Sequence, residues 1–184
     1  MAPPLNHQRH WTGQNQPSAV LWAHEYSKHA TCFSTFGRAC YSSAGAPPHA
    51  DVADYFATTA AYHARLPTWA WLAARGIRPS NTTAYSLADV QDALAAGLAA
   101  PAPVVPYVGC SGPRYNETQG RGPGADDPGF TVISEVWYYY HVYGRVQEGR
   151  AVPVGADVAG GRLSNCAAAP GALRYPERTT GSEV

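Results

Sequence analysis

The sequence predicts an α+β fold, with helices first and an antiparallel sheet after them. Two observations carry that expectation. Apolar residues recur at helical spacing in successive segments as far as about residue 98, and beyond Pro106 the chain turns to short runs rich in Val, Ile and Tyr. At 184 residues the chain reads as an N-terminal loop over 1–17, a single domain over 18–176 and a short tail over 177–184. A domain of this size buries roughly 70% of its unfolded surface.

Each element has a local reason. Residues 1–17 are rich in Pro, Gln and His and read as loop. A helix is expected from Ser18, as N-cap, to about Phe36, where Gly37 and the Ser42–Pro48 stretch break it. A second helix is expected over Ala50–Arg65, with Val52, Tyr55, Phe56 and Thr59 at helical spacing. Pro67 separates it from a third, Thr68–Arg75, which Gly76 stops as the C′ glycine. Ser86 caps a fourth, three residues before Asp89, with Val90, Leu94 and Leu98 on one stripe. His49 and His63, on or beside these helices, read as partly exposed surface histidines.

After Pro106 the pattern becomes strand-like. Val104–Cys110 reads as one short strand, and Ile133–Tyr143, apolar or aromatic almost throughout, as one strand buried on both faces. His141 within it is expected to be a hydrogen-bonded core histidine. Between them, Ser111–Phe130 holds five glycines, three prolines and three acidic residues. It reads as a loop long enough to be an insertion.

Composition narrows the function classes. Charged residues make up 14% of the chain and the formal net charge is zero. A nucleic-acid binder that works through counterion release carries a basic stripe, and none is present. RNA would have to be held in a pocket that stacks and hydrogen-bonds a few unpaired nucleotides. No run of eighteen apolar residues is long enough for a membrane-spanning helix. The polar N-terminus shows no apolar core of a signal peptide. Four cysteines and two glycosylation sequons, at Asn81 and Asn116, point the other way, to an exported protein.

The segment Leu21–Cys32 carries the chemistry. His24, Glu25, Lys28 and His29 fall within six consecutive positions of a charge-poor chain. On a helix, His24/Lys28 and Glu25/His29 are overlapping i,i+4 pairs, and the four side chains span an arc of about 140°. A mixed-charge face is usually solvated, but Leu21 and Trp22 before the cluster and Cys32 and Phe33 after it favour a lined cleft. A zinc helix of the H-E-x-x-H type needs histidines four apart. Here they are five apart and Lys28 occupies the i+4 place, so the spacing argues against zinc, and no metal or other cofactor is expected.

His24-Glu25-Tyr26-Ser27-Lys28-His29-Ala30-Thr31-Cys32 resembles the second active-site segment of the ribonuclease T2 family, H-E-W-x-K-H-G-T-C. The likeness continues in order through Cys40-Tyr41, Asp51–Phe56, Leu66–Thr68, Trp71–Ser80, Tyr85–Val90, Gly109-Cys110 and Ser134–Val142. It spans about Trp11 to Tyr175, and these segments resemble the fungal members.

The resemblance implies a T2-like α+β fold, with several helices packed on a central sheet. It implies a secreted or vacuolar monomer that cleaves single-stranded RNA without metal, through a 2′,3′-cyclic phosphate. By position in the motif, His29 resembles the general base and His24 a phosphate ligand. Lys28 and Glu25 resemble the groups that stabilise the pentacoordinate phosphorus. The stretch Asn15–Leu21 corresponds to the border of a second base subsite, which makes Asn15 and Leu21 candidate substrate contacts. The family pattern pairs Cys110 with Cys166. Counterparts of Cys32 and Cys40 pair with cysteines lying further upstream; here the two are either unpaired or, only if a sharp turn follows the helix, bonded to each other.

Three departures qualify the resemblance. Tyr26 stands where the family usually has tryptophan, and Ala30 where it has glycine. The family's other active-site segment, of the type F-T-I-H-G-L-W-P, supplies the acid histidine and has no counterpart in these 184 residues. The chain therefore reads as the C-terminal two-thirds of the fold, and the polypeptide alone is expected to have little or no ribonuclease activity. A non-catalytic protein that binds RNA or a partner through the retained cleft is the alternative.

Overall fold

The structure, a computed structural model, describes residues 11–179 apart from 14–15, 43–44, 99, 101, 112–128, 159 and 162, and Ser18–His29 forms the first helix among them, α1. The described residues fall into two compact units. One comprises the stretch up to Leu66 with Val142–Ala151; the other comprises Pro67–His141 with Val152–Arg178.

In the first unit, two 3₁₀ turns, Ala30–Cys32 and Ser34–Phe36, follow α1, and then come α2 (Arg38–Ser42) and α3 (Ala50–Ala64). Its core gathers Ala30, Phe36, Tyr55, Phe56 and Val146, with Trp11, Trp22 and Tyr26 packed against them. The rings meet edge to face, Phe36 on Tyr55 at 5.6 Å and Tyr55 on Phe56 at 5.1 Å, an arrangement favoured by the ring quadrupoles. Trp22 and Trp11 are tied as well, the indole N–H of Trp22 donating to the Trp11 carbonyl at 2.8 Å.

α1 differs from expectation at both ends. Ser18 is its first helical residue and Pro17 its cap, and the Ser18 hydroxyl accepts the Gly13 N–H at 3.3 Å instead of capping. The helix stops at His29, not near Phe36. The Thr31 hydroxyl turns back to the Lys28 carbonyl at 3.1 Å, and Phe33 takes an extended conformation at φ −115°, ψ 107°. The extended backbone of Phe33 cannot continue a helix, and the last turn tightens to 3₁₀ ahead of it. The short α2 beyond Gly37 has no counterpart in the sequence reading. α3 keeps its expected bounds, with Arg65 as its C-cap and both His49 and His63 exposed.

The second unit holds α4 (Thr68–Ala74), α5 (Leu87–Leu98) and a four-stranded sheet. Its strands are β1 (Ala84–Tyr85), β2 (Tyr107–Ser111), β3 (Thr131–Trp137) and β6 (Leu173–Arg174), in the order β1-β6-β3-β2. The β1–β6 and β2–β3 pairs are antiparallel, and β3–β6 is parallel. Gly76, at φ 75°, closes α4 as expected: its N–H reaches the Ala73 carbonyl and the Ile77 N–H reaches Leu72, each at 3.0 Å. Those are the two bonds of a Schellman motif. Ser86 caps α5 by accepting the Asp89 N–H at 3.1 Å. Val90, Ala93 and Leu94 then bury into a core with Leu72, Ile77, Val108 and Leu173. A Cβ at Gly97 would overlap the Trp71 indole, so the glycine is what lets Trp71 lie against α5.

The strand expectations need three corrections. The strand expected at Val104 starts only at Tyr107, since Pro106 has no N–H to give to a ladder. Ile133–Tyr143 is not one doubly buried strand. It divides into β3, whose Ser134, Glu135 and Trp137 are exposed, and β4 (Tyr139–Val142), which joins β5 (Ala151–Val154) in a separate two-stranded sheet. Tyr138 marks the break: its hydroxyl shares a 2.7 Å hydrogen bond with Thr68 and its ring lies 6.2 Å from Trp71, so α4 takes it out of the ladder. His141, expected in the core, is exposed.

Cys110 and Cys166 form a disulfide with their Cα atoms 5.0 Å apart. Asn165 reinforces it by accepting the Cys110 N–H at 2.7 Å and donating to the Cys110 carbonyl at 3.1 Å. Cys32 and Cys40 are free and exposed. Nearly all of the expected insertion (112–128), together with Asn116, lies outside the described residues. Asn81 is exposed, and both ends of its amide engage Glu177, at 3.3 Å and 3.1 Å. Among the described residues, no helix is long and apolar enough to cross a membrane.

Candidate active site

The exposed side of α1 holds His24, Lys28 and His29, with Glu25 half-buried beside them. Its opposite side is anchored: Trp22 and Tyr26 pack on the aromatic core, and Ala30 follows at 4% exposure. The methyl that Ala30 adds relative to a glycine therefore goes into the core, beside Phe36 and Tyr55. This two-sidedness needs no strong amphipathic stripe, only a few large aromatics on one side.

Three of the four motif side chains converge. His29 Nε2 lies 3.7 Å from Glu25 Oε2, and the His24 and His29 rings meet edge to face with centroids 6.4 Å apart. His24, Glu25 and His29 each offer an atom within 4.8 Å of the other two. The five-residue spacing between the histidines had implied divergence, and the rotamers remove it. The three donor atoms lie closer together than the five-residue spacing implied, near enough to share one ion or a phosphate oxygen. Lys28 is exposed on the same turn, and its carbonyl receives the Thr31 hydroxyl at 3.1 Å.

α3 holds the far side of α1. The Tyr26 hydroxyl donates to Asp51 Oδ2 at 2.8 Å, and the Tyr55 hydroxyl donates to the Glu25 carbonyl at 3.3 Å. Desolvation, and then the bond to Asp51, push the Tyr26 phenol up to about 12. The same bond holds the Asp51 carboxyl below its usual range, against the opposing cost of burial. Burial also raises the Tyr55 phenol. Sequence reasoning named neither Asp51 nor Tyr55 as part of the site. The only available signal was that Asp51 opens a helix with an aromatic one turn on.

Leu21, a candidate substrate contact, is half-buried on the first turns of α1. Asn15, the other, lies outside the described residues. A cavity of about 130 Å³ lies elsewhere in the unit, between α2 and the start of α3, lined by Arg38, Tyr41, His49 and Asp51 among others. It includes no residue of the histidine cluster, so the cluster is an open surface rather than the wall of that cavity.

Comparison with known proteins gives this helix its relatives. The Ribonuclease T2 family model matches residues 5–121, more than half of the chain and all of α1. A ribonuclease T2-like protein of Candida albicans is 30% identical over 81% of this chain and 32% of its own length. One from Aspergillus fumigatus is 36% identical over 87% and 34%. Ribonuclease Trv of Hypocrea rufa is 31% identical over 86% and 56%. The chain thus spans from about a third to just over half the length of these relatives. A solved structure of Actibind, described as a T2 ribonuclease, superposes with a TM-score of 0.64 at 28% identity, covering 89% of this chain and 56% of that one. An H-E-Y-S-K-H helix clamped on an aromatic core, an α+β fold and matches across most of the sequence agree: the chain belongs to the ribonuclease T2 family.

Proposed function

We propose that the chain carries the base half of an endoribonuclease site that cleaves single-stranded RNA by metal-free transphosphorylation. His29 takes the proton from the ribose 2′-hydroxyl, which attacks the adjacent phosphorus and expels the 5′-oxygen, leaving a 2′,3′-cyclic phosphate. Histidine suits this step because its pKa range spans mildly acid to neutral conditions. Glu25 orients the His29 ring and bonds the phosphorane, Lys28 supplies positive charge to it, and His24 holds a phosphate oxygen. Leu21 and Asn15 border the second base. The observation that carries this reading is the convergence of His24, Glu25 and His29 to within 4.8 Å on one exposed turn. Family membership supports a secreted or vacuolar monomer acting on RNA as substrate.

A second reading has its own support. Protonation of the leaving 5′-oxygen needs a separate acid, and among the described residues the cluster contains no third histidine. Such a site binds RNA without cutting it. The test is incubation of the polypeptide with homopolymer RNA at mildly acid pH, scoring 2′,3′-cyclic ends, beside binding of a 3′-nucleotide. Cleavage that disappears in His29→Ala establishes the enzyme. Binding without cleavage establishes the binder, and neither outcome overturns both.

A further inference from the structure

Asp51 is the buried carboxyl, among the described residues, that the proposed chemistry leaves unused. It is 7% exposed and lies in the first turn of α3, where unpaired backbone N–H groups and the helix dipole favour an anion. That placement alone would explain an acidic residue there. It does not explain why the carboxylate also receives the Tyr26 hydroxyl from α1 at 2.8 Å.

The contacts around that bond are concentrated on one short stretch. Tyr55, one turn along α3, donates to the Glu25 carbonyl at 3.3 Å, and its ring meets the Tyr26 ring edge to face at 5.6 Å. α3 therefore grips α1 at two consecutive residues, and one of them is a member of the cluster. A helix is stiff over a single turn, so fixing Tyr26 fixes the directions in which Glu25, Lys28 and His29 leave the axis. Glu25 and His29, 3.7 Å apart on the one helix, keep their separation when α1 turns about its axis; what the turn changes is the direction in which the pair faces.

We propose that Asp51 is a positioning residue for the site: through Tyr26, and beside Tyr55, it sets the axial rotation of α1 that presents Glu25, Lys28 and His29. The inference rests on the ribonuclease reading only for what α1 presents. The rotation itself is measurable without turnover.

The test uses the full chain, as wild type, Asp51→Asn, Tyr26→Phe and the double variant, with inorganic phosphate as probe. Ring ¹H–¹³C resonances of His24 and His29 are recorded at fixed pH with and without phosphate, alongside thermal unfolding. Each single variant is expected to displace the His29 resonances and to weaken phosphate binding by about threefold to tenfold. The double variant is expected to be no weaker than either single one, because the two residues act through one bond. Unchanged His29 resonances and phosphate affinity in Asp51→Asn, with only a lowered melting temperature, would overturn the proposal and leave Asp51 as a helix-terminus anion. Additive losses in the double variant would overturn it too. Should Asp51→Asn fail to fold, Tyr26→Phe and Tyr55→Phe decide the question by the same readouts, and wild-type behaviour in both refutes positioning. If the wild type binds no phosphate, the ribonuclease reading fails, while the resonance comparison still tests the rotation.

Discussion

The imidazole of His29 stands 3.7 Å from the carboxylate of Glu25, one turn apart on the same helix, with side-chain exposures of 51% and 22%. A pair this open to water adds little to stability, so what it offers is orientation. On the proposed reading His29→Ala abolishes whatever RNA cleavage the chain shows, and in a site completed by an acid it lowers cleavage by about 10²–10⁴-fold, the usual worth of a general base. In the same completed site Lys28→Ala is expected to cost about 10²–10³-fold, if it is the charge-stabilising donor proposed above. Both should leave unfolding free energy within about 0.5 kcal/mol of wild type. The appearance of 2′,3′-cyclic ends, beside chemical denaturation, checks both halves.

The Tyr26–Asp51 bond predicts a two-sided pH dependence of stability. Asp51 is held below its usual range in the folded chain, so its contribution is present above the unfolded value, about 4, and is lost as pH falls through the folded one. Tyr26 is raised to about 12, so its contribution holds below about 10 and is lost as pH climbs towards 12. Asp51→Asn should be less stable than wild type at neutral pH, with the gap closing below about pH 4. Tyr26→Phe should soften the alkaline loss. Denaturant midpoints across the two ranges measure both.

The cysteines separate cleanly by chemistry. Cys32 and Cys40 are free and exposed, and Cys110–Cys166 is closed across a sequence separation of 56. A thiol reagent applied to the native chain should titrate two groups, and four after denaturation in reductant, matching the four cysteines of the sequence. Replacing Cys110 and Cys166 by serine should cost about 4 kcal/mol on the chain-entropy model, read from denaturant unfolding.

Leu94 and Val90 are fully buried on the inner side of α5. Leu94→Ala is expected to destabilise by about 2–5 kcal/mol. Val20→Ala, at a site 53% exposed on α1, is expected to change stability by less than about 0.5 kcal/mol. Paired unfolding curves distinguish them.

What the sequence made legible was whatever local chemistry decides. Ser86 at a cap and Gly76 at a left-handed C′ position each settle their own neighbourhood, and the structure places both as read. The four motif residues were legible for the same reason, being carried by one helix. Tertiary contacts decided the rest. Tyr138 leaves its strand because Thr68 and Trp71 hold it, and His141 then emerges into solvent. α1 ends at His29 ahead of an extended Phe33, a backbone conformation that the helical spacing gave no sign of. Asp51 is drawn into the site by a tyrosine twenty-five residues away, a pairing no spacing rule could show.

The bond between Cys110 and Cys166 also makes a covalent ring out of everything from one to the other. A single peptide-bond cut anywhere inside that ring leaves the two fragments joined. The nicked protein would run as one band without reductant and as two with it. Damage to this stretch, which includes 112–128, β3 and β4, would open the ring without releasing either piece.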